Sequence, residues 1–263
     1  MFIIAPLVLV LYYAFTATVD GQVVFTIQQF RRFFSNSLYI GVALRSIRMG
    51  IQTTIICLII GYPIAHILAS KEFVKKSFLI FLFIAPMWMN FLIRTYAWVT
   101  ILERNGVLNA ILQLLRLPTT DILFNDSAVL LGMVYNFLPF MILPIYTSLT
   151  RMDPRIIEAA QDLGANPRNI FTRIVFPLSV PGIVSGITMV FMPAIATFII
   201  PNLLGGGQYF LIGNLIEQQF LRGGNRHFGS AVTIILVIMM FISMAILSRV
   251  DKSQDKEEAG API

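Results

Sequence analysis

Six long apolar segments, separated by polar connections, constrain the fold of this chain more than any other feature. They comprise residues 1–17, about 49–68, 77–93 or 77–101, 128–146, about 178–200 and 230–247. A helix needs ~20 mostly apolar residues to cross the bilayer core, with ~17–25 tolerated. Continuous apolar runs favour helices, because barrel strands are shorter and alternate in hydrophobicity. We therefore predict an all-α polytopic membrane protein with six spans.

The composition excludes other classes of protein. Hydrophobic residues make up 57% of the chain and charged residues 12%, against ~25% charged in soluble domains. This excess argues against a soluble enzyme, a disordered chain and a disulfide scaffold; the single Cys57 also precludes an intrachain disulfide. The net charge of +6 fits loops facing anionic lipid, since no basic cluster with interleaved aromatics indicates nucleic acid as a partner.

Several features leave the topology open. The basic residues divide almost evenly between alternate connections, so their distribution does not orient the chain. The first segment lacks the basic flank of a signal peptide and is expected to be a first helix whose upstream turn is missing. Prolines within the segments indicate either packing irregularities or bends that shape a pathway; they are Pro63, Pro86, Pro139, Pro144 and Pro193.

The polar stretch 147–177 has the signals of two short helices joined by a turn. Asp153 is a favourable N-cap, Pro154 suits the first helical position, and Gly164 can end the helix in a left-handed turn. Asn166 repeats the cap signal for a second helix, which Pro177 is expected to close. The first helix places an apolar face at Ile156, Ala159, Ala160 and Leu163. The stretch is either a docking elbow or an amphipathic loop on the membrane surface.

The spacing within this stretch resembles a known motif. Glu158-Ala159-Ala160, then Gly164, then Ile174-Val175-Phe176-Pro177 resembles the EAA loop of binding-protein-dependent ABC importer permeases, although Phe176 stands where that family usually has Leu. The resemblance implies a six-helix type I ABC importer permease bundle over residues 1–250, with 147–177 as a cytoplasmic coupling loop and both chain ends cytoplasmic. It implies coupling to an ATPase through Glu158, Ala159, Ala160, Gly164, Ile174 and Pro177. Residues 251–263 are polar and are predicted to form a disordered cytoplasmic tail.

Three further segments are similar to the B-type permeases of spermidine/putrescine importers. They are Trp88–Trp98, Gly132–Phe140 and Pro201–Asn214, which includes Gly205-Gly206-Gly207. This similarity implies a polyamine permease of the bacterial inner membrane. The implied partners are two ATP-binding ABC subunits, a second permease subunit forming a heterodimer, an extracytoplasmic binding protein and the lipid bilayer. A permease for another small solute and an ion-coupled secondary transporter are the alternatives.

The chain carries no sequence signal for its own chemistry. No GxxxxGK(S/T) motif occurs, so ATP is expected on partner subunits, with no cofactor bound by this chain and no catalytic residue. His66 and His227 do not belong to a metal-ligand spacing, so no metal site is predicted. The second, fourth, fifth and sixth segments contain no Asp, Glu, Lys or Arg, which argues against the intramembrane ion site of a secondary transporter.

Aromatic and amide side chains in the third and fourth segments are candidates for contact with a cationic solute. Aromatic faces attract cations, and amides inside a span require partners. The candidates are Trp88, Asn90, Tyr96, Trp98, Tyr135 and Asn136. Interfacial anchoring and interhelical hydrogen bonding are the alternative roles. Arg94 is expected to reach the lipid headgroups, and Gly205–Gly207 to form a flexible connection.

Overall fold

Helices dominate the computed structural model, which describes residues 4–19, 22–70, 76–222 and 224–259. A short 3₁₀ turn, Ala85–Trp88, and a π turn, Phe171–Val175, lie between α-helices. The elements are α1 (Ile4–Ala14), β1 (Thr16–Val19), β2 (Gln22–Phe25), α2 (Gln28–Ser35), α3 (Ser37–Ala69), α4 (Lys76–Ile84), α5 (Phe91–Leu102), α6 (Val107–Leu114), α7 (Asp126–Arg151), α8 (Pro154–Asp162), α9 (Pro167–Ile170), α10 (Phe176–Ala196), α11 (Ile199–Leu204), α12 (Ile212–Leu221) and α13 (Arg226–Ala259).

Four helices within the described part of the chain are long and apolar enough to cross a bilayer. They are Ser37–Ala69, Asp126–Arg151, Pro167–Ala196 and Arg226–Leu247. Large apolar side chains remain exposed along them, including Ile59, Met189 and Phe241. Since a soluble chain would bury these side chains, the four helices confirm the predicted all-α polytopic membrane protein.

The third predicted segment is not one straight helix. Phe78–Trp88 and Phe91–Leu114 meet at a bend of 97° and form a fifth span if they are counted together. Pro86 lies in the 3₁₀ turn, and Met89 and Asn90 break the helix. A proline removes one backbone donor and its ring crowds the preceding turn, so the helix is weakest here.

The first predicted segment forms a shorter helix than expected. α1 has 11 residues and ends at Ala14, and the chain then turns into an antiparallel hairpin that pairs Thr16 with Phe25 and Ala17 with Val24. The prediction that the first segment is helical to residue 17 was therefore wrong. Three of the four residues of β1 are Thr or Val, whose branched side chains favour strands.

Two helix boundaries differ from the prediction near polar residues. α3 begins at Ser37 and not at 49, because Arg45, Ser46 and Arg48 lower the hydropathy without ending the helix. α13 continues through Ala259, where a disordered tail was predicted from 251; Lys, Glu, Gln and Ala are good helix formers. Residues 260–263 of that tail lie outside the described residues.

The chain divides into two compact units. The first comprises Met1–Ile51, Leu92–Met133 and Met192–Ser243, and the second Gln52–Phe91, Val134–Phe191 and Met244–Ile263. In the second unit, α7 and α10 approach closely, since a Cβ added at Gly182 would lie 2.8 Å from the Pro144 carbonyl oxygen. The Ser148 hydroxyl donates to the Leu178 carbonyl oxygen at 3.3 Å beside this contact. Small residues let membrane helices approach in this way.

In the first unit, a buried amide network holds α11 against α12. Asn214 is 1% exposed; its Nδ2 donates to the Phe198 carbonyl at 2.9 Å and to Asn202 Oδ1 at 2.7 Å. Its Oδ1 accepts from the Leu211 N–H at 3.0 Å. Asn202 in turn donates to Glu217 Oε2 at 3.0 Å. Asn214 therefore satisfies the Leu211 N–H at the start of α12 and adds a second hydrogen bond to the Phe198 carbonyl, which already accepts from the Asn202 N–H at 3.1 Å.

The glycine run between these helices forms a tight turn. Gly206 and Gly207 have φ of +59° and +75°, and a Cβ on Gly206 would lie 2.6 Å from the Phe124 ring. The Phe124 N–H donates to the Leu204 carbonyl at 2.9 Å. The expected flexible connection is therefore a packed turn whose conformation and space both require glycine.

We expect Asn214→Ala to lower the free energy of unfolding by about 3 kcal/mol, because it leaves the Leu211 N–H and Asn202 Oδ1 without their buried partner. The measurement is the unfolding midpoint of the full chain in detergent. Gln218→Ala, an exposed change on the same helix, should stay within about 0.5 kcal/mol of the unchanged chain. Equal midpoints for the two variants would contradict the role assigned to Asn214.

Candidate functional site

The elbow between α7 and α10 begins with the predicted cap. Asp153 has an extended backbone and its Oδ1 accepts from the Arg155 N–H at 3.0 Å, with Pro154 in the first turn of α8. Asn166 repeats this arrangement, because its Oδ1 accepts from the Asn169 N–H at 2.8 Å. Both cap assignments are confirmed, and they fix where each helix of the elbow starts.

Gly164 ends α8 as predicted. Its φ is +78°; its N–H donates to the Gln161 carbonyl at 2.9 Å, and the Ala165 N–H donates to the Ala160 carbonyl at 3.0 Å. These two bonds form a Schellman motif. A Cβ at Gly164 would meet no atom within 4 Å, so the need for glycine comes from backbone conformation alone.

The apolar face of α8 is open. Within the described part of the chain, α8 has no buried residue, and Ile156 and Leu163 are 45% and 88% exposed. Glu158 and Ala159 are exposed, whereas Ala160 is half-buried. The apolar face is therefore accessible, as both a docking elbow and an amphipathic loop on the membrane surface require.

The second half of the elbow differs from the prediction. Pro177 does not close a helix, because Pro167–Ala196 runs as one 30-residue helical segment. The π turn from Phe171 to Val175 lies directly before Pro177, with the Phe176 N–H donating to the Phe171 carbonyl. A wider turn relieves the clash between a proline ring and the carbonyl four residues earlier. Ile174 is half-buried in this turn, and Pro177 half-buried after it.

An aromatic cluster that the sequence analysis missed fixes the base of the elbow to α3. The Tyr62 ring lies 6.0 Å from Phe171 and 5.9 Å from Phe176, and His66 lies 5.6 Å from Phe171, centroid to centroid. The Tyr62 hydroxyl lies 3.0 Å from Ser179 Oγ, which donates to the Phe176 carbonyl at 2.7 Å. The local sequence indicates this cluster only through the spacing of Phe171 and Phe176. They lie five residues apart, which is the separation of hydrogen-bonded residues in a π turn.

A cleft of about 800 Å³ borders the start of the elbow. It lies between α7 and α10 and is lined mainly by apolar side chains, with charges where the elbow begins. Its lining includes Pro144, Ser148, Arg151, Asp153, Gly182 and Met189. The elbow therefore borders open space at α8 and a packed aromatic cluster at the π turn.

The six candidate pathway residues lie at the helix break before α5, on α5 and on α7. Trp88 and Asn90 are exposed beside the helix break, and the Trp88 ring lies edge-on to Phe81 at 5.7 Å. On α5, Tyr96 is exposed and Trp98 half-buried; on α7, Tyr135 is exposed and Asn136 is buried.

Arg94 is 7% exposed, so the expectation that it reaches the headgroups was wrong. Among the described residues, no group of three or more His, Cys, Asp or Glu side chains could hold a metal ion.

These helices and the elbow between two spans define a multi-pass membrane protein. The family of binding-protein-dependent transport system inner membrane components matches residues 58–256. The chain belongs to this family.

Two curated relatives match almost the whole chain. The spermidine/putrescine transport system permease protein PotB of Escherichia coli strain K12 is 37% identical over 262 residues, covering 98% of this chain and 95% of PotB. The protein of the same name from Haemophilus influenzae is 40% identical over 258 residues, covering 95% and 89%. These relatives are transport permeases, in agreement with the prediction that the chain is a transport subunit and not an enzyme.

Solved transporters share the fold. A chain of a bacterial ABC transporter involved in import of the acidic polysaccharide alginate superposes with a TM-score of 0.76 at 18% identity, covering 96% of this chain and 90% of that one. A chain of the MetNI methionine ABC transporter in an inward-facing conformation gives 0.61 at 16% identity, covering 83% and 99%. The predicted type I ABC importer permease fold is confirmed.

We expect Asp153→Ala to speed hydrogen exchange of the α8 backbone amides about fivefold, because losing an N-cap costs about 1 kcal/mol. Mass spectrometry of deuterium uptake measures this directly. Asp162→Ala removes the same charge from the other end of α8, where it caps nothing, and should not speed exchange. Equal acceleration by both changes would contradict the capping role of Asp153.

Proposed function

We propose that this chain is a membrane-spanning permease subunit of an ATP-driven ABC importer that moves polyamines such as spermidine and putrescine. The observation that carries the proposal is the 37–40% identity to PotB proteins over at least 95% of the chain. The absence of a phosphate-binding loop from the sequence supports ATP on partner subunits and no cofactor on this chain.

The proposed assembly contains two ATP-binding subunits, a second permease subunit in a heterodimer with this one, and an extracytoplasmic binding protein that delivers the solute. The elbow faces the cytoplasm in this proposal, and both chain ends are cytoplasmic. The family description as an inner membrane component dependent on a binding protein supports the binding protein as a partner.

The elbow is the proposed docking element for an ATPase subunit. Ile156 and Leu163 present apolar surface, and Glu158 presents a carboxylate on the same short helix. Exposed apolar side chains beside charged ones are typical of a protein interface. Ala159, Ala160, Ile174 and Pro177 complete the proposed coupling set together with Gly164.

Movement of the docked elbow would pass into the spans along two routes. The first is covalent: α9, the π turn and α10 form one helical segment up to Ala196. The second is the aromatic cluster, through which Phe171 and Phe176 press on Tyr62 of α3. Because these rings join α10 to α3, closure of the ATPase pair would tilt the two helices together and alternate the access of the pathway.

The polyamine would pass aromatic and amide groups in the third and fourth spans. Tyr96 and Tyr135 expose aromatic faces that attract ammonium groups. Trp88, Trp98, Asn90 and Asn136 offer further faces and carbonyl acceptors along the same two spans.

We predict that Gly164→Val abolishes ATP-dependent uptake of labelled spermidine, because a β-branched residue at φ +78° disrupts the turn that ends α8. Glu158→Lys should have the same effect through charge reversal at the interface. Uptake is measured in membrane vesicles containing the complete importer, with ATP supplied or depleted and the ion gradient held constant.

The matched control is Gly164→Asn, since asparagine tolerates the left-handed conformation and should retain most of the uptake. Immunoblots check that all variants reach the membrane at equal levels. Normal uptake by Gly164→Val would contradict the coupling role proposed for the elbow. Spermidine uptake that survives ATP depletion would instead favour an ion-coupled transporter. ATP-dependent uptake of another solute, with no uptake of spermidine, would favour a permease for that solute.

For the pathway, we predict that Tyr135→Leu raises the apparent KM for spermidine about tenfold, because the change removes roughly 1–2 kcal/mol of cation–π attraction. Tyr135→Phe keeps the ring and should stay near the original KM. Tyr12→Leu changes an exposed tyrosine of α1 and should leave KM unaltered if tyrosines there only anchor the protein. An unchanged KM in Tyr135→Leu would rule Tyr135 out of the pathway.

A further inference from the structure

The cleft between α7 and α10 follows both helices over a considerable length. Its lining extends from Phe140 to Arg151 on α7 and from Leu178 to Met189 on α10. At a rise of 1.5 Å per residue, each stretch is about 16 Å long, which is about half the thickness of the hydrocarbon core of a bilayer. None of the six candidate pathway residues is part of this lining.

Three hydroxyl groups line the cleft, and each donates its proton within the chain. Thr147 Oγ1 donates to the Leu143 carbonyl at 2.9 Å. Ser185 Oγ donates to the Pro181 carbonyl, also at 2.9 Å. Ser148 Oγ donates to a carbonyl of α10 at 3.3 Å. A hydroxyl oxygen has two lone pairs, and Thr147 and Ser185 are exposed. Their oxygens are therefore placed to accept a hydrogen bond from a ligand.

A proline adds a backbone acceptor to the same lining. Pro144 has no N–H, so the Phe140 carbonyl loses the donor that an α-helix normally provides. Both residues line the cleft. Acyl chains offer no donor, so such a carbonyl persists in a membrane where a neighbouring helix, a side chain or a water-filled cavity satisfies it. The 800 Å³ of open space beside Phe140 suits water or a solute with N–H groups better than lipid.

The charged side chains of the lining are confined to its elbow end. They are Arg151 and Asp153, whose charges are opposite, so the lining has no net charge. Neutral acceptors attract a cation through their dipoles and hold it less strongly than a carboxylate in the span would. Passage along a pathway needs binding that is favourable enough for entry and weak enough for exit.

The chemistry of a polyamine is complementary to this lining. Each ammonium group carries N–H donors and no acceptor, like the ammonium of lysine. The methylene segments between the ammonium groups match the apolar side chains that lie between the acceptors, such as Leu143 and Met189. An anionic solute brings acceptors instead, for which the side chains of the cleft offer the Arg151 guanidinium at one end.

The cleft also continues the candidate pathway along α7. Asn136 lies one helical turn before Phe140, and Pro144 and Thr147 follow on the same face. We propose that the cleft is the elbow-side half of the polyamine pathway, in which Thr147 Oγ1, Ser185 Oγ and the Phe140 carbonyl accept from successive ammonium groups. This inference rests on the proposed function and adds α10 to the spans that contact the solute.

The first test places a cysteine at position 185, because Cys57, the single cysteine of the sequence, is buried. Inside-out vesicles containing the complete importer without ATP receive a membrane-impermeant maleimide, and mass spectrometry measures the label on this chain. Ser185→Cys should be labelled, and spermidine at several times its dissociation constant should slow labelling about fivefold by occupancy. Hexamethonium carries two charges but no N–H, and should not slow it.

Ile59→Cys is the matched control, since Ile59 is 66% exposed on α3 but does not line the cleft. It should remain unlabelled in lipid. Failure of the maleimide to reach Ser185→Cys would overturn the proposal in favour of a cleft covered by lipid or by the second permease subunit. Equal protection by spermidine and hexamethonium would overturn the role of the hydrogen-bond acceptors.

The second test measures transport. Thr147→Val with Ser185→Ala removes two acceptors and should lower ATP-dependent uptake of spermidine about tenfold, in line with the loss of hydrogen bonds to a charged donor. ATP hydrolysis stimulated by the loaded binding protein should stay near its original rate, because the elbow is unchanged. Normal uptake by this double variant would overturn the inference and leave the proposed function intact. Absence of spermidine uptake by the unchanged importer would overturn both.

Discussion

The bilayer supplies no water to hydrogen-bond with the backbone, and the rest of this structure depends on that constraint. Long uninterrupted helices meet it by internal bonding. Wherever the helix is interrupted, another group must compensate. At α11 and α12, Asn214 supplies partners for the Leu211 N–H and the Phe198 carbonyl, and Ser46 accepts from the Ile212 N–H at 2.8 Å. At the start of α12, polar side chains therefore supply the partners that the backbone lacks.

Local sequence signals predicted the elbow well. Asp153, Asn166 and Gly164 act through their own backbone and the next few residues, so their roles can be derived from short stretches of sequence. The same reasoning failed at Pro177, because a proline normally ends a helix and only the π turn before it allows the helix to continue. The turn itself depends on packing that the local sequence does not specify.

Hydropathy predicted which segments are apolar but not where helices start and stop. It measures the cost of exposing a side chain to lipid, whereas a helix depends on backbone bonding and continues through polar residues such as Arg48 in α3. The aromatic cluster of Tyr62, His66, Phe171 and Phe176 joins residues more than 100 positions apart. A single sequence contains no signal for such a contact.

The π turn has a geometric consequence for the elbow. Each residue of an α-helix turns the chain by ~100°, and a π turn inserts one residue into that progression. Everything before Phe171 is therefore rotated about the axis of α10 relative to an uninterrupted helix. The turn therefore determines the direction, around the axis of α10, in which α8 projects from the end of the membrane helix. A single-residue deletion between Phe171 and Val175 would keep both helices yet swing the elbow towards a different side of the bundle.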